Sequence, residues 1–197
     1  MNAEAAEKKR VWTPAEYLAW ERLQPEKHEL LDGEVFAMSG ATYAHNKIVG
    51  NLVRELGNVL LHRRCDVTSS DLRVHVPATG LFSYPDVTVI CGDPLFEDGT
   101  LDTLLNPTVL VEVLSESTEA YDRGKKFRNY RSIPTLREYV LVAQDEASVE
   151  RYTREVDGGW SLHESGAGER LVLASLGCEI AVDEIYWKVF PAPTPTV

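Results

Sequence analysis

Two acids stand where aliphatic strands leave little room for charge. Residues 106–115 form an apolar run suited to the middle of a sheet, yet they carry Glu112. A buried carboxylate is costly unless it meets a cation or a donor. Residues 84–90 have the same character, with Asp86 opening a β-branched strand, and residues 121–127 start a helix rich in positive charge. Strand alternation puts Leu110, Glu112 and Leu114 on one face, and Asp86, Thr88 and Ile90 on one face of the preceding strand. If the two strands are neighbours, Asp86 and Glu112 converge at one end of the sheet. Two hard oxygen ligands, with waters and a substrate phosphate completing an octahedral shell, suit Mg²⁺. Such an ion polarises a phosphoryl oxygen and lowers the pKa of bound water, a general route to phosphodiester hydrolysis.

A lysine beside the metal would position or deprotonate the attacking water and stabilise charge on the phosphorane. The position two residues after Glu112 is Leu114, so the candidates are Lys125 and Lys126 on the following helix. Asp122, Lys126 and Tyr130 succeed one another at intervals of four and share one helical stripe, whereas Lys125 points about 100° away. Lys126 is therefore the expected lysine. Spacing alone leaves a plainer reading open: Pro-Asp is a common strand entry, Glu112 can pair with an arginine, and the lysines can be solvated. Ser115 lacks a nucleophile elbow and is not expected to act as a hydrolase nucleophile.

The elements that must position these residues follow in chain order. Thr13, Pro14 and Glu16 supply the N-cap, first-turn proline and capping-box acid of a short helix ending near Leu23. Asp32 and Gly33 make a type I′ turn between two strands within residues 28–38, which places Glu29 at the beginning of a strand. Thr42 is a candidate N-cap for a long helix to about Arg63, with Ile48, Leu52, Leu56, Val59 and Leu60 on one buried stripe. Gly50 and Gly57 in that helix are read as marks of close packing. His45, near its start, reads from position alone as a surface or cap side chain. Residues 72–76 alternate as a half-exposed strand. A helix over 122–131 stops at Ile133 and Pro134, another strand covers 137–143, and 149–154, 160–164 and 170–174 read as an antiparallel meander extending the sheet. A mixed α/β (α+β) sheet flanked by helices is the expected architecture, with one domain over 12–190 and flexible ends at 1–11 and 191–197.

The 197 residues, 44% hydrophobic and 26% charged, suit one soluble domain with a full core. The first residues lack the apolar core of a signal peptide and no apolar run reaches membrane-spanning length, so a cytoplasmic location without membrane insertion is expected. Cys65, Cys91 and Cys178 show no Cys-x-x-Cys spacing and are expected as buried free thiols. A net charge of −11 argues against a general nucleic-acid-coating surface. The window 121–137 departs from this, since six basic residues against one acid leave it at +5 and the remainder at −16. A locally basic helix on an acidic body can approach a phosphate backbone, although most such runs are solvated faces.

Asp86, the run Glu112 to Ser115, and the pattern Asp122, Gly124, Lys126, Phe127 and Tyr130 resemble the motifs of the Uma2 family of restriction-endonuclease-like proteins, a branch of the PD-(D/E)XK nuclease superfamily. The hairpin carrying Glu29 and the helix start carrying His45 resemble that family's N-terminal part, so the likeness covers about residues 12–145. Where the family usually has proline after the serine, this chain has Glu116. The resemblance implies a restriction-endonuclease-like core, Mg²⁺ or Mn²⁺ dependence and cleavage of DNA. It makes Asp86 and Glu112 metal ligands, Lys126 the catalytic lysine moved onto a helix, Glu29 an accessory acid, and Asp122 and Tyr130 supporting residues, with His45 as a further accessory position. Cutting both strands of a duplex would suit a two-fold homodimer. Two rival readings remain: a weak or inactive relative serving as a binding or assembly module, and a carboxylate-pair hydrolase acting on another polymer, such as a glycosidase.

Overall fold

The computed structural model describes residues 10–190; of the flexible ends expected at 1–11 and 191–197, all but residues 10 and 11 lie outside the described residues. The chain opens with α1 (Pro14–Glu21), whose capping box between Thr13 and Glu16 is formed in both directions. Strands β1 (His28–Leu31) and β2 (Glu34–Ala37) pair across a turn with positive φ at Asp32 and Gly33. Helix α2 (Tyr43–Leu60) starts at Thr42, whose side chain accepts from His45 N–H. Then come β3 (Cys65–Ser69), β4 (Arg73–Val76), β5 (Leu81–Ser83), β6 (Val87–Cys91), the short β7 (Thr103–Leu104) and β8 (Val109–Val113). Helix α3 (Glu119–Tyr121) runs through a π turn (Asp122–Lys126) into α4 (Phe127–Tyr130). Strands β9 (Glu138–Val142), β10 (Ser148–Arg154), β11 (Trp160–Gly166), β12 (Arg170–Leu173) and β13 (Cys178–Ala181) precede a final α5 (Val182–Ile185).

The strands form a five-stranded sheet ordered β2-β1-β5-β4-β7 and a six-stranded sheet ordered β11-β10-β9-β8-β6-β3, with β12-β13 as a separate ribbon. The β8–β9 and β4–β7 pairs are parallel and the others antiparallel. One face of the six-stranded sheet presents Val87, Val89, Val109, Val111 and Val113 to Ile48, Leu52, Leu56 and Leu60 of α2. Its other face presents Ile90, Leu110 and Leu114 to Val74, Val76 and Leu81 of the five-stranded sheet. Each fully buried aliphatic of this kind stabilises by about 1.5–3 kcal/mol. The alternation expected for the Asp86 and Glu112 strands is the partition between these two cores.

Four local expectations are corrected. Strand β4 is buried along its whole length rather than half-exposed, because its polar members are satisfied inside: Arg73, 3% exposed, donates to Tyr84 Oη at 2.9 Å and Thr103 Oγ1 at 3.0 Å, and His75 stacks on Phe82 and pairs with Glu97. Gly50 and Gly57 meet nothing within 4 Å where a Cβ would lie, so they mark no close packing. The third strand of the C-terminal meander leaves the sheet to pair with β13, sending Leu171, Leu173 and Ile180 into the α2 core. Cys65 and Cys91 are not free thiols but form a disulfide, since the β3–β6 register sets them opposite each other with Cα atoms 4.0 Å apart; Cys178 is free and only partly buried.

Candidate functional site

Strands β6 and β8 run antiparallel with Val87 opposite Val111, so the same register brings Asp86, one residue before β6, to the position facing Glu112. Asp86 is held on both sides. Its Oδ2 accepts from Val113 N–H at 2.8 Å, and its Oδ1 lies 3.0 Å from His45 Nε2. The reading of His45 as a surface or cap side chain is thereby corrected: its backbone N–H serves the Thr42 cap, while the imidazole is turned inward onto Asp86.

Glu112 is 3% exposed. Its Oε1 accepts from the Tyr130 hydroxyl at 3.0 Å and lies 3.0 Å from Lys126 Nζ. Ser83 Oγ is 2.8 Å from the Tyr130 oxygen; because the one phenolic proton goes to Glu112, the serine hydroxyl is the donor. The Lys126 ammonium also lies 3.1 Å from Glu29 Oε1 and 3.4 Å from Asp122 Oδ1. Tyr121 donates to the second oxygen of Glu29 at 3.1 Å. Lys125, one residue earlier, points outward to Asp32 at 2.8 Å. Leu114, where a strand lysine would have stood, packs in the core.

The helix that delivers Lys126 differs from expectation in two respects. It begins at Glu119 rather than Asp122, and its turn from Asp122 to Lys126 is widened to the π form. Such bulges redirect side chains by one residue's worth of rotation and concentrate at functional sites. Here the turn keeps Asp122, Lys126 and Tyr130 all buried and also leaves the Lys126 ammonium 5.7 Å from the centre of the Tyr121 ring.

Four carboxylates thus surround or adjoin one ammonium. Burial pushes the Glu112 carboxyl well above the usual range; Lys126 opposes this, and Asp122, Asp86 and Glu29 add to it. Asp122 is raised by burial against the pull of Lys126. Burial by itself would discharge Lys126, but Glu112 and Glu29, with Tyr130 and Asp122, outweigh it and hold the proton well above the ordinary lysine range.

A cavity of about 1430 Å³ opens onto this cluster and is lined by Glu29, His45, Asp86, Glu112, Asp122 and Lys126 among others, with the exposed Glu116 at its edge. Tyr130 lies behind Glu112 and does not line it. Among the described residues no three His, Cys, Asp or Glu side chains are grouped as a ready-made metal cage. The donor set nevertheless fits a hard divalent cation. Asp86 and Glu112 both face the cavity with oxygen donors, and the cluster is short of positive charge. Glu29 Oε1 and Asp122 Oδ1 are buried with the Lys126 ammonium beside them, at 3.1 and 3.4 Å, and share that one cation with Glu112. That deficit is what an oxygen-loving cation would relieve.

Three participants were not singled out from the sequence. Tyr121 precedes Lys126 by five residues, a spacing that brings side chains together only around a π turn. Ser83 gives no local signal, since its role depends on β5 crossing above Tyr130. The Val113 N–H that fixes Asp86 belongs to a backbone whose exposure depends on where β6 begins.

Comparison with known proteins adds an independent line. A family model, Uma2, described as "Putative restriction endonuclease", matches residues 14–183. Two proteins of Synechocystis sp. (strain ATCC 27184 / PCC 6803 / Kazusa) are similar to this chain. The uncharacterized protein slr1290 is 41% identical over 88% of this chain and 90% of its own length. The uncharacterized protein sll1609 is 37% identical over 79% of this chain and 88% of its own length. Among solved structures, "a putative nuclease belonging to DUF820" from Anabaena variabilis superposes with a TM-score of 0.73, covering 90% of this chain and 99% of that one at 15% identity. At that identity the likeness is one of fold. Among the described residues no helix is long and apolar enough to cross a membrane.

Proposed function

This chain belongs to the Uma2 family of restriction-endonuclease-like proteins, and from that premise we propose that it is a metal-dependent endonuclease hydrolysing phosphodiester bonds in DNA. The observation that carries the reading is the meeting of Asp86, Glu112 and Lys126 at the floor of one cavity, from two facing strands and a helix. Asp86 and Glu112 would hold Mg²⁺ or Mn²⁺, which when bound supplies Lewis-acid polarisation of the scissile phosphate.

The chain's own residues have separable tasks. His45 and Val113 N–H fix the orientation of Asp86. Tyr130, backed by Ser83, fixes that of Glu112. Lys126 stays an ammonium at neutral pH because its carboxylate neighbours outweigh burial, which makes it a donor to charge developing on the phosphorane rather than a base. Glu29 and Asp122 hold it in place.

Nicking of supercoiled plasmid with Mg²⁺ or Mn²⁺ is the test. Asp86→Ala and Glu112→Gln are expected to lose cleavage while remaining folded, and Lys126→Ala to lose far more rate than Lys125→Ala. Undiminished cleavage in both acid variants would refute the assignment. A second reading, an inactive relative acting as a binding module, is favoured by one observation: Lys126 pairs with three of the acids at once, so the cluster is partly neutralised from within. Calorimetric titration with Mn²⁺ separates the two, since the module reading predicts no heat that depends on Asp86 and Glu112.

A further inference from the structure

Among the described residues of this acidic chain most cations are tied to a carboxylate, for example Arg22 to Asp98 and Asp102, Lys27 to Asp71, Arg64 to Asp93, Arg123 to Glu119 and Glu150, Lys125 to Asp32 and Arg170 to Glu179. Arg63, which donates to carbonyls, and Lys47 and Lys188, which lie over the Trp187 ring, are without a carboxylate partner among these residues, but four further cations without one are gathered on a single face. Arg128 and Arg131 lie three apart on the helix that carries Lys126, both exposed, and Arg137 is exposed at the entry to β9. Arg154, at the end of β10, joins them, since its guanidinium donates to the carbonyl of Arg131 at 2.6 Å and its N–H to the carbonyl of Arg137 at 2.8 Å. None of the four is ion-paired among the described residues, and none lines the cavity. Burial and the neighbouring Arg137 hold the Arg154 guanidinium pKa below its ordinary value, as mutual repulsion without a compensating acid requires.

Aromatic rings lie between the charges. Arg131 sits over the Phe127 ring at 5.4 Å and Arg154 over Trp160 at 4.8 Å, while Phe127 meets Trp160 edge-on at 5.3 Å. The acids of the adjoining β10–β11 turn are engaged locally, Glu155 accepting from Ser161 and Asp157 from Gly159 N–H. Four unpaired guanidinium groups cost self-repulsion in the free protein, and a polyanion is what relieves it. Arginine's planar fork matches phosphate oxygens two at a time, and a run of such contacts follows a phosphate backbone rather than a single ion.

We propose that Arg128, Arg131 and Arg137, braced by Arg154, form an anchoring surface for the phosphate backbone of nucleic acid, outside the cavity and on the outer side of the helix that presents Lys126. The proposal rests on the nuclease reading for its choice of polyanion, but binding can be measured apart from cleavage. Arg154 serves three carbonyls, those of Leu136, Arg131 and Ile133, and is therefore left intact in the test.

The experiment compares wild type, the triple variant Arg128→Ala/Arg131→Ala/Arg137→Ala, and a control triple Arg64→Ala/Arg170→Ala/Lys188→Ala with the same change in net charge. Binding of a fluorescein-labelled duplex of about twenty base pairs is followed by anisotropy in EDTA at several salt concentrations. Each lost phosphate contact removes about 0.9 from the slope of log affinity against log salt. The patch variant is thus expected to lose up to about 2.7 units of slope, so that its affinity falls about 40-fold less than that of wild type between about 50 and about 200 mM salt. It is also expected to bind more weakly at the lowest salt, while the control keeps the wild-type slope. Equal slopes for the two triples, wild type without salt-dependent binding, or loss of binding to phosphatidylserine vesicles with duplex binding intact would each overturn the proposal. Failure here with metal-dependent nicking preserved removes the patch and leaves the nuclease. Loss of slope in a protein that never nicks leaves the patch and removes the nuclease.

Discussion

Replacing Glu112 with glutamine probes the electrostatics of the site without emptying it. The substitution conserves volume, and the amide oxygen can still accept from Tyr130 and Lys126 where Glu112 Oε1 does, at 3.0 Å from each. What disappears is a titratable carboxyl group buried among three other acids. The folded-state pKa of Glu112 is raised above 4.5, burial being the largest cause. Between 4.5 and that raised value the folded protein keeps a proton that the unfolded chain has released, so this group makes stability fall as pH rises, by about 1.4 kcal/mol per pH unit. Below pH 4.5 both states are protonated, the slope is zero and the stabilisation is fully present. Glutamine does not titrate. The stability of Glu112→Gln relative to wild type is therefore expected to increase from pH 4.5 upward at about that slope until the folded pKa is passed. Urea denaturation in EDTA, buffered in half-unit steps, measures it, and the difference between the two proteins cancels groups they share. Adding Mg²⁺ at about a hundredfold excess over its dissociation constant should stabilise wild type by about 2.7 kcal/mol and the variant by less. Parallel pH profiles, or a variant that loses ground as pH rises, would refute the picture of Glu112 as a carboxylate held in excess.

Tyr130→Phe removes the proton that Glu112 receives and the acceptor that Ser83 uses, and is expected to cost about 1–3 kcal/mol in urea denaturation; an unchanged midpoint would mean that the hydroxyl is dispensable. Thiol titration of the unfolded, unreduced protein is expected to find one reactive group, Cys178, and three after reduction; three before reduction would contradict the Cys65–Cys91 bond.

Local chemistry was legible in the sequence wherever a signal is confined to a few neighbours. The Thr13 capping box, the Asp32–Gly33 turn, the Thr42 cap and the stripe of α2 are short-range patterns, and each is in place. Alternation likewise set Glu112 on one face with Leu110 and Leu114, opposite the valines, and helical spacing separated Lys126 from Lys125; which face meets α2 came from the structure. What failed is what neighbours in sequence cannot report. Arg73 and His75 alternate with valines like solvent-facing residues, yet both are buried because Tyr84, Thr103, Phe82 and Glu97 arrive from other elements to satisfy them. Cys65 and Cys91 are joined by a strand register that only the assembled sheet defines. The sequence by itself determined which side chains were available for chemistry and which way each leaves its own strand or helix, since those follow from backbone periodicity. Only the tertiary structure decided their company: Asp86 opposite Glu112, His45 turned inward, and one lysine held among several acids. Those relations depend on strand order and on a single π turn, where the energy of packing the whole core outweighs any local preference.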